Sequence, residues 1–277
     1  MGPSATQEQV LQRCGATQLM EAALFGYHAT IMAYGQTSAG KTYTMFGPED
    51  VLAKTGYLGG VHEGITFRCV RHLFTTAATD ASQRVVVKAS CLEVYNEGIY
   101  DLLHITNKQL ALKGTAEGGF VADGLKVIEC TTFEKFMQVA HTGMKNRRTG
   151  AHALNHESSR SHAILSVSVE ISSTAEEGTP TRKGKVSFVD LAGSERVKET
   201  GAAGGTLKEA NSINKSLFTL GKVISALSEP VRPYKGKLLQ DRFGTIYADF
   251  TISFSPCRQS RLLGMFHTVI RSSQSCS

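Results

Sequence analysis

The chain has 277 residues, of which 41% are hydrophobic, and it carries a formal net charge of +6 with a sequence pI of about 9.0. This length fits one large domain or two small ones, and no apolar run approaches the ~20 residues that a membrane-spanning helix needs. Six cysteines are scattered without a C-x-x-C pair, which argues against a zinc site or a disulfide framework and favours a reducing compartment. The basic balance suits an acidic polymer, either a nucleic acid or an acidic protein surface.

Hydrophobic periodicity predicts helices that alternate with strands along the chain. Helical spacing is found in residues 6–26, 65–78 and 204–229. Runs typical of strands are found in residues 30–34, 84–95, 161–172, 184–192 and 249–256. This alternation favours an α/β sheet in a single domain.

A glycine-rich stretch, Gly35-x-x-x-x-Gly40-Lys41-Thr42, directly follows the apolar run 30–34. The spacing is that of a phosphate-binding loop, in which glycines let backbone N–H groups turn inward on a phosphate. Lys41 adds positive charge toward the outer phosphates, and the Thr42 hydroxyl can ligate Mg²⁺. A helix that begins near Gly40 would direct the positive end of its dipole at the same phosphates.

Two later stretches fit loops that sense the γ-phosphate of a bound nucleotide. NHESSRSH contains the adjacent Ser158 and Ser159, of which one hydroxyl can meet the metal or the γ-phosphate while the other positions the attacking water. DLAGSE places Asp190 after an apolar strand, where it can hold a metal-bound water, and Gly193 lets a bare backbone N–H approach the γ-phosphate. Together with the phosphate loop, these stretches predict a nucleoside triphosphatase.

The stretches GYHATIMAYGQTSAGKTYTM, NHESSRSH, VDLAGSER and EANSINKSLFTLGKVISAL resemble motifs of the kinesin motor domain, and the likeness runs from about residue 6 to about residue 256. The resemblance implies that the chain binds and hydrolyses ATP with Mg²⁺, and that the ring of Tyr43 stacks on adenine. The residues that would bind the ATP phosphates are Gly35, Gln36, Thr37, Ser38, Ala39, Gly40, Lys41 and Thr42.

The same resemblance gives roles to the two sensing loops. Thr42 and Ser159 would face Mg²⁺, and Ser158 would help to position the lytic water. Arg160 would pair with Glu195, which closes the site when ATP is bound and organises the proton relay, since no strong general base is evident. Asp190 and Gly193 complete this catalytic set.

The resemblance also implies that the acidic polymer partner is the microtubule. A helix over residues 209–227 would rest on it, and the candidate contacts are the basic residues Lys208, Lys215, Arg232, Lys235 and Lys237. We therefore expect a cytoplasmic, cytoskeletal protein that has neither a membrane partner nor a nucleic-acid partner.

The chain departs from the family pattern at two places. Family members have two strands ahead of the first helix, one with an Arg-x-Arg-Pro stretch that lines the adenine pocket, whereas this chain starts at the helix. We expect half of the base pocket to be absent, activity to be impaired and one sheet edge to be exposed. The stretch PYKGKLLQDRFGT is about one helical turn shorter than in the family, and RLLGMFHTVIRSS replaces the usual last helix.

These observations predict an α/β phosphate-loop NTPase domain over residues 1–271, with a central, mainly parallel mixed sheet, helices on both faces and a frayed tail at 272–277. The expected function is ATP binding and hydrolysis coupled to microtubule binding. Two alternatives stay open. One is a truncated, non-motile microtubule-binding module whose nucleotide site is weak or idle. The other is a nucleic-acid-stimulated ATPase, against which SSRSH and DLAGSE argue.

Overall fold

The computed structural model describes residues 5–48, 60–106, 108–114, 120–150, 160–174, 181–195, 215–223 and 264–271. The helices are α1 (Gln7–Cys14), α2 (Ala16–Leu24), α3 (Lys41–Phe46), α4 (Ile65–Ala77) and α5 (Phe133–Gly150), together with the helical residues 215–223. The strands are β1 (Tyr27–Tyr34), β2 (Gln83–Tyr95), β3 (Gly98–Asp101), β4 (Leu112–Gly114), β5 (Phe120–Ala122), β6 (Ile128–Cys130), β7 (His162–Ser173), β8 (Arg182–Asp190) and β9 (Gly264–Arg271). In this part of the chain no helix is both long enough and apolar enough to cross a membrane.

The central sheet has the strand order β3-β2-β7-β8-β1-β9. Strand β6 also pairs with β2, on the same edge as β3 and opposite β7. The predicted α/β fold with a mixed sheet is confirmed. Among the described strands, β1 and β8 pair in parallel, and the other pairings within this sheet are antiparallel. The fraction of parallel strand pairs among the described strands is therefore smaller than the sequence predicted. One physical reason is that only residues 174–181 separate β7 from β8, and so short a connection joins antiparallel neighbours.

The two faces of the sheet carry different apolar clusters, because successive residues of a strand point to opposite faces. Ile31 of β1 belongs to the larger core, which helices α1, α2, α4 and α5 also contribute to. Its neighbour Met32 belongs to a smaller cluster, against which Leu217 and Leu220 of the helical segment 215–223 pack. The prediction of helices on both faces is thereby confirmed.

The first predicted helix, residues 6–26, is in fact two helices. Gly15 separates them: it adopts a left-handed conformation, with φ of +68°, that ends α1, and α2 begins at the next residue. Thr6 starts α1 with a capping box, in which its hydroxyl accepts from the Gln9 backbone and the Gln9 side chain accepts from the Thr6 backbone. A single period of apolar residues continued across Gly15, so periodicity alone did not reveal the break.

The remaining predicted elements agree with the structure where the structure describes them. Strands predicted at 84–95, 161–172 and 184–192 correspond to β2, β7 and β8, and the predicted helix 65–78 corresponds to α4. The predicted strand 249–256 lies outside the described residues. Strand β9 lies instead in the stretch that replaces the family's last helix, and it pairs antiparallel with β1.

The register of three strands brings the sequence motifs together. Ala33, near the end of β1, pairs with Asp190 at the end of the parallel strand β8. Ala163, near the start of β7, pairs with the same Asp190 from the antiparallel side. The phosphate loop, the DLAGSE stretch and the end of NHESSRSH therefore emerge at one edge of the sheet.

Candidate active site

The phosphate loop turns tightly between β1 and α3. Gly40 has φ of +89° and is the N-cap of α3, so that the loop enters the helix through a conformation that suits glycine. Ser38 also has a positive φ, of +62°. Gln36, Thr37, Ser38 and Ala39 form the bend, and the Gln36 carbonyl accepts from the Ala39 N–H at 3.2 Å. The predicted curl of the backbone is present in the structure.

Lys41 lies beneath this loop, with 7% of its surface exposed. Its Nζ donates to the carbonyl oxygens of Gly35 at 3.0 Å and Gln36 at 2.9 Å. Burial lowers the pKa of Lys41, and the nearby carboxylates of Asp190 and Glu195 act in the opposite direction. The carbonyl groups of the predicted phosphate-binding loop thus hold the buried Lys41 ammonium group in place.

Asp190 is the hub of the site and is nearly inaccessible, with 1% of its side chain exposed. Its Oδ2 accepts from the Thr42 hydroxyl at 2.7 Å and from Nη1 of Arg147 at 2.6 Å. Its Oδ1 is buried and has no hydrogen-bond partner among the described residues. The free Oδ1 can accept from a metal-bound water, and the Thr42 hydroxyl is an oxygen ligand of the kind that Mg²⁺ prefers, so the residues present fit the implied ion.

Arg147 is a site residue that sequence reasoning missed. It lies on α5, has 3% of its side chain exposed and forms a buried ion pair with Asp190. Its Nη2 also donates to the Ser161 carbonyl at 2.9 Å, just beyond the SSR triplet. Nothing in the stretch KNRR distinguishes this arginine from its neighbour, because the contact joins positions 43 residues apart.

The DLAGSE stretch contacts the phosphate loop directly. The Ser194 N–H donates to the Gly35 carbonyl at 3.1 Å. The Glu195 carboxylate accepts from the Thr37 backbone N–H at 2.9 Å and also from the Thr37 hydroxyl. Burial alone would raise the pKa of Glu195, but the hydrogen bonds from Thr37 outweigh burial and hold this pKa below its ordinary value.

Gly193 lies where these two loops touch. A Cβ at this position would stand 2.4 Å from each Glu195 carboxylate oxygen and from the Thr37 hydroxyl, so a side chain would displace them. The predicted partner of Glu195, Arg160, lies just before β7 and is partly buried. The Glu195 contacts that the structure describes are with Thr37, and the Arg160–Glu195 pair stays a prediction.

Tyr43 lies at the outer side of the site, with 44% of its surface exposed. Its hydroxyl lies 3.2 Å from Nδ1 of His62, and its backbone carbonyl accepts from the Gln7 side chain at 2.7 Å. The ring is accessible, its hydroxyl contacts His62 and its backbone is held by Gln7, which is compatible with the predicted stacking on a base.

Several predicted residues lie outside the described part of the chain: Ser158, Ser159, Lys208, Arg232, Lys235 and Lys237. Of the proposed polymer contacts, Lys215 is described. It is exposed on the helical segment 215–223, where its Nζ pairs with the Glu97 carboxylate at 2.7 Å.

The loop, the buried lysine and the hydroxyl–aspartate pair define a phosphate-loop nucleotide-binding domain. The family model for the kinesin motor domain matches residues 1–262, and the chain belongs to this family.

Individual relatives agree with the family assignment. The mouse (Mus musculus) kinesin-like protein KIF12 is 38% identical over 260 residues, which cover 86% of this chain and 39% of that protein. The rat (Rattus norvegicus) kinesin-like protein KIF15 is 40% identical over 232 residues, covering 82% of this chain and 16% of that protein. The chain thus spans well under half of the length of these two relatives.

A solved structure of a fast kinesin, described for its ATPase mechanism and its interactions with microtubules, has the same fold. It is similar to this chain with a TM-score of 0.71 and 35% sequence identity, covering 86% of this chain and 67% of that one. The phosphate-loop NTPase fold of the chain is therefore established by sequence and by structure.

Proposed function

We propose that the chain binds ATP with Mg²⁺ at the edge of the sheet formed by β1, β7 and β8, hydrolyses it and couples this cycle to microtubule binding. The observation that carries the proposal is the convergence of Lys41, Thr42 and Asp190 around one loop. Membership of the kinesin motor family and the similarity to the fast kinesin support it.

Each side chain in the site has a role in this proposal. Lys41 would exchange its two loop carbonyls for phosphate oxygens, so that its charge faces the outer phosphates. The Thr42 hydroxyl and the predicted Ser159 would hold Mg²⁺, and Asp190 would hold one of its waters. When bound, the ion would neutralise charge on the β- and γ-phosphates.

In the hydrolysis step, water forms a new bond to the γ-phosphorus while the bond from that phosphorus to the bridging oxygen of ADP breaks. Ser158 would position this water, and Arg160 with Glu195 would relay its proton. The Gly193 N–H would meet the γ-phosphate. The Glu195 carboxylate accepts two hydrogen bonds from Thr37 of the phosphate loop, which links this residue directly to the nucleotide site.

The microtubule would be bound by the helical segment 215–223. This segment presents an exposed Phe218, an exposed Val223 and the cationic Lys215 and Lys222. The Lys222 ammonium lies over the Phe218 ring, 4.6 Å from its centroid. A surface that combines positive charge with apolar groups complements an acidic protein polymer.

The test is phosphate release from ATP, measured without polymer, with microtubules and with single-stranded nucleic acid. We expect microtubules to accelerate release and the nucleic acid to leave it unchanged. Lys41→Ala should abolish turnover, while Lys108→Ala, at an exposed lysine on another loop, should behave like the parent. Acceleration by nucleic acid alone, or parent-like turnover of Lys41→Ala, would contradict the proposal.

A further inference from the structure

His162 stands between the nucleotide site and the proposed microtubule-binding helix. It is the first residue of β7 and has 8% of its surface exposed. Its Nδ1 accepts from the Ala192 backbone N–H at 2.8 Å, and its Nε2 lies 2.8 Å from the Ser216 hydroxyl. One imidazole ring therefore contacts the DLAGSE stretch on one side and the helical segment 215–223 on the other.

The direction of both hydrogen bonds follows from the chemistry of the ring. A backbone N–H can only donate, so Nδ1 must carry a lone pair toward Ala192. The neutral ring then has its proton on Nε2, which donates to the Ser216 hydroxyl. Burial first, and then the charge of Arg147, lower the pKa of His162 to about 4, so the ring stays neutral at physiological pH and keeps this tautomer.

We propose that His162 is a positioning residue that couples the state of the nucleotide site to the position of the helical segment 215–223. The inference rests on the proposed function, because Ala192 precedes Gly193, the proposed γ-phosphate sensor, and Ser216 follows Lys215, the proposed polymer contact. A displacement at either end must stretch or break a hydrogen bond to the same ring. By linkage, polymer binding would act on the nucleotide site through the same contact.

The packing around the segment explains why a single hydrogen bond would matter. Leu217 and Leu220 also attach the segment to the sheet, through the small cluster of Met32, Val189 and Leu191. Apolar contacts are non-directional, so they hold the segment against the sheet without fixing its register. The bond from His162 to Ser216 is directional and defines one position of the helix relative to the DLAGSE stretch.

The variant that tests the proposal is Ser216→Ala, which removes the hydroxyl and keeps the helix. Thr219→Ala is the matched control, because the Thr219 hydroxyl on the same segment donates to the Lys215 carbonyl of its own helix. Phosphate release without microtubules is measured for each variant as the baseline from which its stimulation is calculated. Stimulation by microtubules should fall about two- to tenfold in Ser216→Ala, the range expected for one neutral hydrogen bond, and should stay at the parent level in Thr219→Ala and in the hydroxyl-retaining Ser216→Thr.

A second measurement does not depend on turnover. Hydrogen exchange of residues 215–223, followed with and without nucleotide, should show a nucleotide-dependent change in the parent and in Thr219→Ala, and a smaller change in Ser216→Ala. His162→Asn, whose Oδ1 can still accept from Ala192, should behave like Ser216→Ala, and the double variant should add nothing further.

The two proposals fail in different ways. If microtubules do not stimulate the parent but nucleotide still changes exchange in 215–223 through Ser216, the proposed function is wrong and the coupling stands. If Ser216→Ala matches Thr219→Ala in both assays, or if the exchange of 215–223 in the parent does not respond to nucleotide, the coupling through His162 is overturned.

Discussion

Replacing Arg147 with methionine would leave the Asp190 carboxylate buried without its ionic partner. In the parent, Arg147 donates to Asp190 at 2.6 Å and to the Ser161 carbonyl at 2.9 Å, and both ionic side chains are at most 3% exposed. Methionine fills similar space with an apolar chain, so the variant removes charge and hydrogen bonds more than volume. Thr42 would remain as the hydrogen-bond donor to Asp190.

The expected loss of stability is large because breaking a buried ion pair strands a charge that cannot reach water. Such a change costs about 3–5 kcal/mol, which in a domain of this size corresponds to a fall in melting temperature on the order of 10 °C. Lys88→Met is the control, since Lys88 and Glu170 form an ion pair of similar length, 2.7 Å, whose side chains are 31% and 35% exposed. That pair should contribute at most about 1 kcal/mol.

Urea denaturation of Arg147→Met, Asp190→Asn, the double variant and Lys88→Met measures these differences. We expect Asp190→Asn to recover part of the loss in the double variant, because it removes the stranded charge. The reasoning would be refuted if Arg147→Met cost no more than Lys88→Met, or if the two substitutions at the buried pair were simply additive.

Three further predictions concern the same site. Lys41→Ala should weaken ATP binding about 10- to 100-fold, since a hydrogen bond from a charged group is worth ~1.5–3 kcal/mol. Calorimetric titration measures this loss of affinity, and an affinity equal to the parent's would exclude a contact of Lys41 with the phosphates. Gly193→Ala should slow ATP turnover with little loss of stability, because its methyl group would displace only the side-chain ends of Thr37 and Glu195. If the variant has parent-like turnover and a normal denaturation curve, the absence of a side chain at residue 193 is not required for catalysis. Acidification from about pH 7 to about pH 4.5 should lower the free energy of unfolding by about 2–3 kcal/mol through His162, because its pKa is about 4 in the folded chain and 6.5 ordinarily, so the unfolded chain takes up the proton first. His162→Asn should remove this share of the pH dependence, and identical pH profiles for variant and parent would contradict it.

The phosphate loop was predictable from sequence because its chemistry is local. Its defining residues lie within one short stretch, 35–42, and the spacing of its glycines, lysine and threonine alone predicts a loop that binds phosphate. The same holds for the end of β8, where an apolar strand leads directly into Asp190. The parallel register of β1 and β8 then brings the two motifs together, as expected for an α/β domain.

What sequence could not predict depends on contacts between distant residues. Arg147 reaches Asp190 from another element, and Thr37 contacts Glu195 across 158 positions of chain. Helix α5 was also missed, although Phe133, Met137 and Ala140 follow helical spacing. Short strands such as β4 and β6, of three residues each, are set by tertiary pairing rather than by pattern.

The central claim is that the nucleotide site controls microtubule binding, and co-sedimentation with microtubules in different nucleotide states tests it most directly. We predict that the affinity of the parent for microtubules differs clearly between a saturating non-hydrolysable ATP analogue and saturating ADP. Lys41→Ala should still bind microtubules but should show the same affinity with either nucleotide. Equal affinity of the parent in every nucleotide state would contradict the account and favour a microtubule-binding module with an idle site.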